Sequence, residues 1–585
     1  MKTQAIGSFL SSSRSYTFAE LARGPNQQGA LMNLSEVRIQ NYRSIRDLTF
    51  TLEDITVLVG ENNSGKSNIL CALNLLLGET WPSRRSVERS DYYCEDVTQP
   101  IHIEARIGRN AYQIERLWCT IPWEERSDTK AVVNGQETYL SNEIRDRCAL
   151  VYLDANRNLD YHLGLSRWTL FGRVVRYLDD FFRQSTPAPR QQALLTNFEE
   201  AQELLRTPLF TQFEEALADN FSQQLRRTLH QIRLNFRAFD PLNYYRAVHP
   251  ILVEGGREVN PLQAGQGMRN LILLALFRAY ARVFRGDAII AIEEPEIYLH
   301  PHAQRSLKAL FDDLALQGNQ IIYSTHSGTF VDIANFPRIF LVAKSTTPGA
   351  QPSTAVTHVS ARQLLAQRQL LHPQLGITSQ GMTERYRNIC TLEHNEAFFA
   401  HKILLVEGET EEYSLPIYAA ALGSDFDSLG ISIVNAHGKG NLDSLFQLYG
   451  AFGLPTYVVF DNDRAGEERD HRANLTLLRM LGLPETPVPD PFIGPSCAIL
   501  EDTFETQMRI TLEAEGQPPY EDFRADAVAD LGSTAGKGLI ARHMAHALVR
   551  REYTPGFIRA IVGALTKSHE AAAGGDPIPE PKIPL

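Results

Sequence analysis

Two groups of residues have the types and spacing for phosphate chemistry. The first is Gly60-Glu61-Asn62-Asn63-Ser64-Gly65-Lys66-Ser67, which satisfies the pattern GxxxxGK[ST]. Glycines let successive backbone N–H groups turn toward phosphate oxygens, and the start of a following helix adds positive dipole. Lys66 neutralises β- and γ-phosphate charge, and the Ser67 hydroxyl is of the kind that ligates Mg2+. Further on, Ala288-Ile-Ile-Ala-Ile292 runs into Glu293 and Glu294. One carboxylate there can hold Mg2+ while the next positions or deprotonates a water. Strand ends often carry solvated acids, but here Pro295-Glu296-Ile-Tyr-Leu-His300-Pro301 follows directly, and His326 closes the run QIIYST within Ser-Thr-His-Ser.

The second group is purely acidic. Ile403-Leu-Leu-Val406 ends in Glu407-Gly408 with Glu411 one helical turn on, and Tyr457-Val-Val-Phe460 ends in Asp461-Asn-Asp463. In a parallel sheet the C-terminal ends of strands share one edge, so these acids can converge. Clustered carboxylates repel one another unless cations intervene, which calls for hard divalent ions with oxygen ligands, Mg2+ or Mn2+. Such ions polarise a phosphodiester, generate hydroxide and stabilise a leaving 3′ oxygen. A lone DxD is more often a polar loop; paired with EGxxE on a neighbouring strand it is far more specific. Glu501, Asp502 and Glu505 bring three more acids, and Lys537 opens a helical run, LIARHMAHAL, although lone acids and lysines are usually surface groups. His437, Lys439 and Asn441 fall in a loop after a strand, beside this site. Arg226, Arg227, Arg233 and Arg237 could line a DNA path, but such residues more often form a solvated helix face.

The elements that must position these groups are readable in outline. DITVLVG is an apolar run ending at Gly60, and Ile69, Leu70, Leu73, Leu76 and Leu77 recur at helical spacing until Gly78. ALVYLDA near residue 150, AIIAIEE and QIIYSTHS give strands, the last two separated by a helical PHAQRSLKALFDDLAL, which is the rhythm of a parallel α/β sheet. A fresh α/β series opens at Lys402. The expected fold class is α/β multidomain. Its parts are a weakly structured extension at 1–31, a nucleotide-binding head at 32–165 and 241–360 interrupted by a helical insertion at 166–240, a helical connector at 361–400, a second α/β domain at 401–570 and a flexible tail at 571–585.

Composition narrows the functional class. The chain has 585 residues, 43% of them hydrophobic, and 57 basic against 69 acidic residues leave a net charge of −12. Bulk charge therefore gives no argument for nucleic-acid binding, and DNA contact must be local or bridged by metal. No apolar run approaches the length of a membrane span, and the six cysteines form no CxxC pair. The start of the chain shows no secretory signal, so a soluble, cytoplasmic protein is expected.

The phosphate loop, the Glu293-Glu294 strand end and Ser-Thr-His-Ser together resemble an ABC-type ATPase head of the SMC, RecF and Rad50 kind, whose nucleotide is sandwiched between two heads. That resemblance implies Glu293 as Walker B acid, Glu294 as catalytic glutamate and His326 as switch histidine. It also implies that Leu262-Gln-Ala264-Gly265-Gln266-Gly267 is the signature loop, offering Gly265 and Gly267 to ATP on the partner head. Ala264 stands where such loops usually carry Ser, which removes a γ-phosphate contact and points to slow or regulatory ATP use. EGxxE with DxD resembles the Toprim domain of topoisomerases, DnaG-type primases and certain nucleases. Mapped on it, Glu407 is general base or metal ligand, Asp461 and Asp463 are ligands and Glu411 is a second-metal ligand. In Toprim nucleases coupled to ATPases, Glu505 would complete the metal site and Lys537 would stabilise charge on the phosphate.

Head and Toprim domain in one chain resemble the OLD (overcoming lysogenization defect) family of nucleases, which includes the large subunit of the Gabija anti-phage system, over Leu34 to Leu565. The resemblance implies an ATP-binding, metal-dependent DNA endonuclease with two Mg2+ or Mn2+ ions, acting in anti-phage defence. It also implies a homodimer or larger homo-oligomer formed through the heads and the helical insertion, with room for an operon-encoded helicase or reverse-transcriptase partner. Two other readings stay open at this level: another Toprim enzyme of topoisomerase or primase type, and an ATP-switched DNA-binding sensor with little nuclease activity.

Overall fold

The computed structural model describes residues 33–108, 110, 112–148, 150–166, 168–224, 233–234, 240–283, 288–345, 351–372 and 376–573. The extension at 1–31, Arg226, Arg227, Arg237 and the tail from 574 onward lie outside the described residues.

The chain opens with an antiparallel pair, β1 (Leu34–Tyr42) and β2 (Ile45–Thr51), followed by β3 (Ile55–Val59). Then β4 (Ile101–Ile107), β5 (Ile114–Ile121), β6 (Asp128–Val133) and β7 (Gln136–Tyr139) join the opening pair in a six-stranded antiparallel sheet ordered β2-β1-β4-β5-β6-β7. The sequence reading names no strand between 100 and 140. Yet IHIEARI buries alternate residues, the period-two signature of a strand with one covered face.

β3 belongs to a second sheet with β8 (Leu150–Leu153), while β9 (Leu252–Glu254) and β10 (Arg257–Val259) form a separate hairpin. β11 (Ile289–Glu293), β12 (Gln320–Thr325), β13 (Ile339–Ser345) and β14 (Ser353–His358) complete the second sheet in the order β14-β13-β3-β12-β11-β8, parallel except for β14. β3, β11 and β12 are buried at every position, as strands covered on both faces must be. The helix Lys66–Leu77 lies between the two sheets. Its Ile69, Leu70, Leu73 and Leu76 share a core with Ile39 and Ile103 on one side and Ile289, Ala291 and Ile322 on the other.

The segment read as an insertion is helical where described, with helices Leu170–Ser185, Ala188–Leu205 and Pro208–Gln224. Ala188–Leu205 buries none of its residues, and Leu204, Leu205, Leu209 and Phe213 are exposed.

The third major sheet holds β15 (Lys402–Val406), β16 (Ile431–Asn435), β17 (Thr456–Asp461), β18 (Phe492–Ile493) and β19 (Cys497–Leu500), ordered β16-β15-β17-β19-β18 and parallel except for β18. Between the second and third sheets run two helices, Ala361–Leu371 and Ser379–Ile389, and a 3-10 segment, Glu393–Phe399. These do not form a loose linker. One continuous apolar cluster runs from Val57 and Ile292 through Leu364, Tyr386 and Phe398 to Leu405, Leu448 and Phe460. Asn395 fastens the segment to the turn after β12, donating to the carbonyls of Gly328 and Val331 at 2.9 Å each and accepting from Ile333 N at 3.1 Å. No described helix is long and apolar enough to cross a membrane.

Phe398 is the aromatic hinge pin of this joint, packed edge-on against Phe452 at 5.0 Å and Tyr449 at 6.1 Å between ring centroids. Phe398→Ala is expected to cost about 3–5 kcal/mol, the range for removing a buried aromatic ring. Denaturant unfolding of the two proteins checks it, and a loss under about 1 kcal/mol contradicts the shared core.

Candidate active sites

The phosphate loop joins β3 to the helix Lys66–Leu77, and its glycines are required sterically. Gly65 has φ +113, and a Cβ there would lie 2.1 Å from Thr354 Oγ1; Gly60 has φ +150, and its Cβ would meet the Val342 carbonyl at 2.1 Å. Thr354 on β14 braces the loop by donating to Ser64 O at 2.9 Å, so an element about 290 residues away holds the turn in shape. Asn63 takes a left-handed φ of +65. Asn62, Asn63 and Ser67 are exposed on the loop's outer side, while Lys66 is buried. The Lys66 ammonium donates to the carbonyls of Gly60 at 2.8 Å and Glu61 at 2.7 Å. Burial lowers its pKa to about 8, against the opposing pull of Glu294, Glu296 and Glu61.

Glu293 and Glu294 stand at the end of β11 in different surroundings. Glu293 is buried and accepts from the Tyr152 hydroxyl at 2.8 Å and from Ala155 N at 3.2 Å. Glu294 is half-exposed, takes φ +43 and lies 3.6 Å from His326 Nε2. A non-glycine residue held in that backbone region is strained, and such strain gathers where geometry is over-determined. Burial lowers the His326 pKa, with Lys66 adding to the effect. Two supports were not singled out from sequence. Arg157, buried, donates to the carbonyls of Glu293 at 2.6 Å and Glu294 at 2.9 Å. Glu296 accepts from Thr325 Oγ1 at 2.8 Å and His326 N at 2.7 Å, fixing the histidine turn. Gly265 and Gly267 are exposed at the start of the helix Gln266–Val283, and an added Cβ at either would meet nothing within 4 Å.

The acids of the third sheet gather at one edge. Glu407 follows β15, Asp461 ends β17, and Glu411 lies buried in the first turn of the helix Glu409–Ala421. Burial pushes Glu407 up to about 7, with Asp463 raising it and Lys439 opposing. Glu411 is pushed up to about 8 by burial, with Glu407 and Glu505 adding to it. Asp461 lies well above the ordinary carboxylate range, through burial and then the charges of Glu411, Glu407 and Asp463. Asp463 is held at φ +47 by its own turn, donating from N to Asp502 O at 3.2 Å and accepting on O from His471 Nε2 at 2.9 Å. Glu505 lies 3.4 Å from Thr410 Oγ1 and 4.0 Å from Lys537 Nζ, whose side chain is largely exposed.

Glu501 and Asp502 are brought to the same corner but are used as supports. Glu501 pairs with Arg464, and Asp502 accepts from Ala465 N at 2.9 Å. Asn462, fully buried between the two aspartates, clamps the turn by accepting from Asp502 N at 2.8 Å and donating to Pro489 O at 2.9 Å. Lys439 and Asn441, expected in a loop, lie in the first turn of the helix Lys439–Ala451, and the Lys439 ammonium donates to Asp461 O and to Asp463 Oδ2.

These residues fit a hard cation. Glu407 Oε2 and Asp461 Oδ1 are buried with no hydrogen-bond partner among the described residues, an expensive arrangement for carboxylates unless a cation satisfies them. Among the described residues, no three His, Cys, Asp or Glu side chains stand together as a ready-made metal-binding group.

Comparison with known proteins agrees with this double-site geometry. The family model for an AAA ATPase domain matches residues 32–158 and 127–331, together just over half of the chain, and the model for the overcoming-lysogenization-defect-like Toprim domain matches 398–463. The chain belongs to the AAA ATPase-domain family and carries an OLD-like Toprim domain. Among its relatives, OLD nuclease of Thermus scotoductus is 28% identical, covering 74% of this chain and 84% of that one. Old nuclease of Escherichia phage P2 is 23% identical over 74% of this chain and 77% of its own. Endonuclease GajA of Bacillus cereus is 22% identical over 51% and 56% respectively. The Toprim match ends at Asp463, so Glu505 and Lys537 lie beyond it.

The raised acids give a pH prediction. Between the ordinary carboxylate value of about 4.3 and the raised values, the folded chain holds protons that the unfolded chain has released, so without divalent ions stability falls as pH rises through that window. Glu411 titrates at about 8. In chelator, Glu411→Gln is therefore expected to gain melting temperature relative to wild type as pH goes from about 5 to about 8.5; a difference flat with pH contradicts the assignment.

Proposed function

We propose that this chain is an OLD-family, ATP-binding, divalent-metal-dependent DNA endonuclease in which the ATPase head regulates cleavage at the Toprim edge. The observation that carries the reading is the pair of unpartnered buried oxygens, Glu407 Oε2 and Asp461 Oδ1, at the ends of adjacent parallel strands. Mg2+ or Mn2+ bound there supplies Lewis-acid polarisation of a phosphodiester and an activated water. Glu407, Asp461 and Asp463 would hold one ion, and Glu411 and Glu505 would extend the set toward a second. Where Glu407 is not a ligand, it would act as general base toward the attacking water. Lys537, exposed at the start of the helix Lys537–Arg550, can meet the negative charge of the DNA strand.

In the head, Asn62, Asn63, Gly65, Lys66 and Ser67 would cradle ATP, Glu293 would help hold its Mg2+, Glu294 would orient the attacking water, and His326 would read the γ-phosphate. Gly265 and Gly267, open to solvent, suit contact with nucleotide on a second copy. Exposed Leu204, Leu205, Leu209 and Phe213 on the helical insertion suit self-association in a homodimer or larger homo-oligomer. Arg233, on the described part of the insertion, is left as a candidate DNA contact. Regulation has a physical route: Glu61 of the phosphate loop lies 3.1 Å from His401, just before β15. The relatives' names support nuclease chemistry, and a role in anti-phage defence is part of this proposal on the strength of the resemblance to the OLD family. A cytoplasmic setting and an operon-encoded helicase or reverse-transcriptase partner complete the proposal.

Digestion of plasmid and linear DNA with Mg2+ or Mn2+, with and without ATP, tests it. Glu407→Gln is expected to slow cleavage by on the order of 10²–10⁴, the range for losing a general base, and Asp461→Asn to slow it at least as much. Full metal-dependent cleavage by both variants rejects the Toprim site. Lys66→Ala is expected to weaken ATP binding by about 10- to 100-fold, from the loss of a charged hydrogen bond, and unchanged affinity in calorimetry rejects the phosphate loop.

A further inference from the structure

Lys439 is the first residue of the helix Lys439–Ala451, directly after Gly438 at φ +115, and its side chain is buried. It runs over the Phe460 ring, with Nζ 5.7 Å from the centroid, and reaches from the end of β16 across to β17. There its ammonium bonds Asp461 O and Asp463 Oδ2, and its charge bears on Glu407 and Asp461 as well. A buried ammonium is tolerated only when paired, and here the pairing partners are the acids expected to hold metal. The carboxylates are thus treated unequally. Asp463 is engaged by an internal cation, while Glu407 Oε2 and Asp461 Oδ1 have no hydrogen-bond partner among the described residues.

We propose that Lys439 is a built-in counter-cation that competes with a divalent ion for Asp463, so that full metal loading requires its ammonium to leave that carboxylate. The inference rests on the Toprim reading above. A dication and an ammonium on one part-buried carboxylate repel each other and so compete for it. Once released, the ammonium sits beside the same edge with no carboxylate partner, and a DNA phosphate is the anion that enters there. Lys439 therefore couples metal loading to substrate: the second ion enters most readily when a phosphodiester is present to receive the displaced ammonium. The device keeps the hydrolytic site incomplete until DNA arrives, through charge balance inside one domain and independently of nucleotide.

Calorimetric titration of the full-length protein with Mn2+ alone, without DNA, tests this. Lys439→Met keeps the stem and removes the charge, and it is expected to bind Mn2+ at least tenfold more tightly than wild type, or with one additional ion per chain. Equal or weaker binding overturns the proposal. Asp461→Asn, titrated in parallel, separates the two readings: if it binds Mn2+ as wild type does, the metal site itself is misassigned. Should Lys439→Met fail to fold by circular dichroism, the wild-type protein decides. Amine labelling of Lys439, read by mass spectrometry, is expected to be low in chelator, to rise at saturating Mn2+ without DNA, and to fall again when a short duplex supplies a phosphate partner. Labelling that does not change overturns the inference.

Discussion

Putting several carboxylates into one buried edge of a parallel sheet is the constraint from which the rest of the Toprim half follows. Strand polarity delivers Glu407 and Asp461 to the same end of β15 and β17, and the adjacent helix adds Glu411 from its first turn. Water is excluded from much of this corner, so the charges cannot be screened and their proton affinities rise. The surrounding chain answers that stress in two ways. Asn462 and its partners lock the Asp461–Asp463 turn against collapse, and Lys439 lends a single positive charge. The imbalance that remains is what a divalent cation can relieve.

The ATPase half is built on a different economy, because its loop uses backbone donors and one lysine in place of clustered acids. The two glycines that a Cβ would jam against Val342 and Thr354 show why the loop needs those residues, and the left-handed Asn63 and Glu294 mark where the backbone is held out of its preferred regions. The halves meet through packed matter. The 3-10 segment Glu393–Phe399 is bonded to the turn that follows His326 and is packed on helices of the Toprim domain, and Glu61 approaches His401. A change at the phosphate loop therefore has solid contacts along which to act.

Much of this was legible in the sequence because the decisive signals are local. GxxxxGKS, the acids at the ends of apolar strands and the EGxxE and DxD spacings each declare a strand end followed by a turn, and the structure has strand ends there. The antiparallel strands β4 to β7 carry no chemistry to draw attention, although IHIEARI alternates apolar and polar residues along its whole length. Arg157, Thr354, Asn462 and Lys439 were underweighted for a common reason. Each acts on residues distant in the chain, and a lone Arg, Thr, Asn or Lys has no spacing that announces its partner. Glu501 and Asp502 could not be told apart from Glu505 by position, since only the fold turns two of them toward Arg464 and the turn backbone.

The central claim is that the edge formed by β15 and β17 is a cation site working on a nucleic-acid backbone. Anomalous diffraction from crystals grown with a short DNA duplex and Mn2+ examines it most directly. The account predicts a peak between the carboxylates of Glu407 and Asp461, with a DNA phosphate oxygen in its shell. Manganese found only elsewhere, with those two side chains turned apart and the duplex away from this edge, would contradict it.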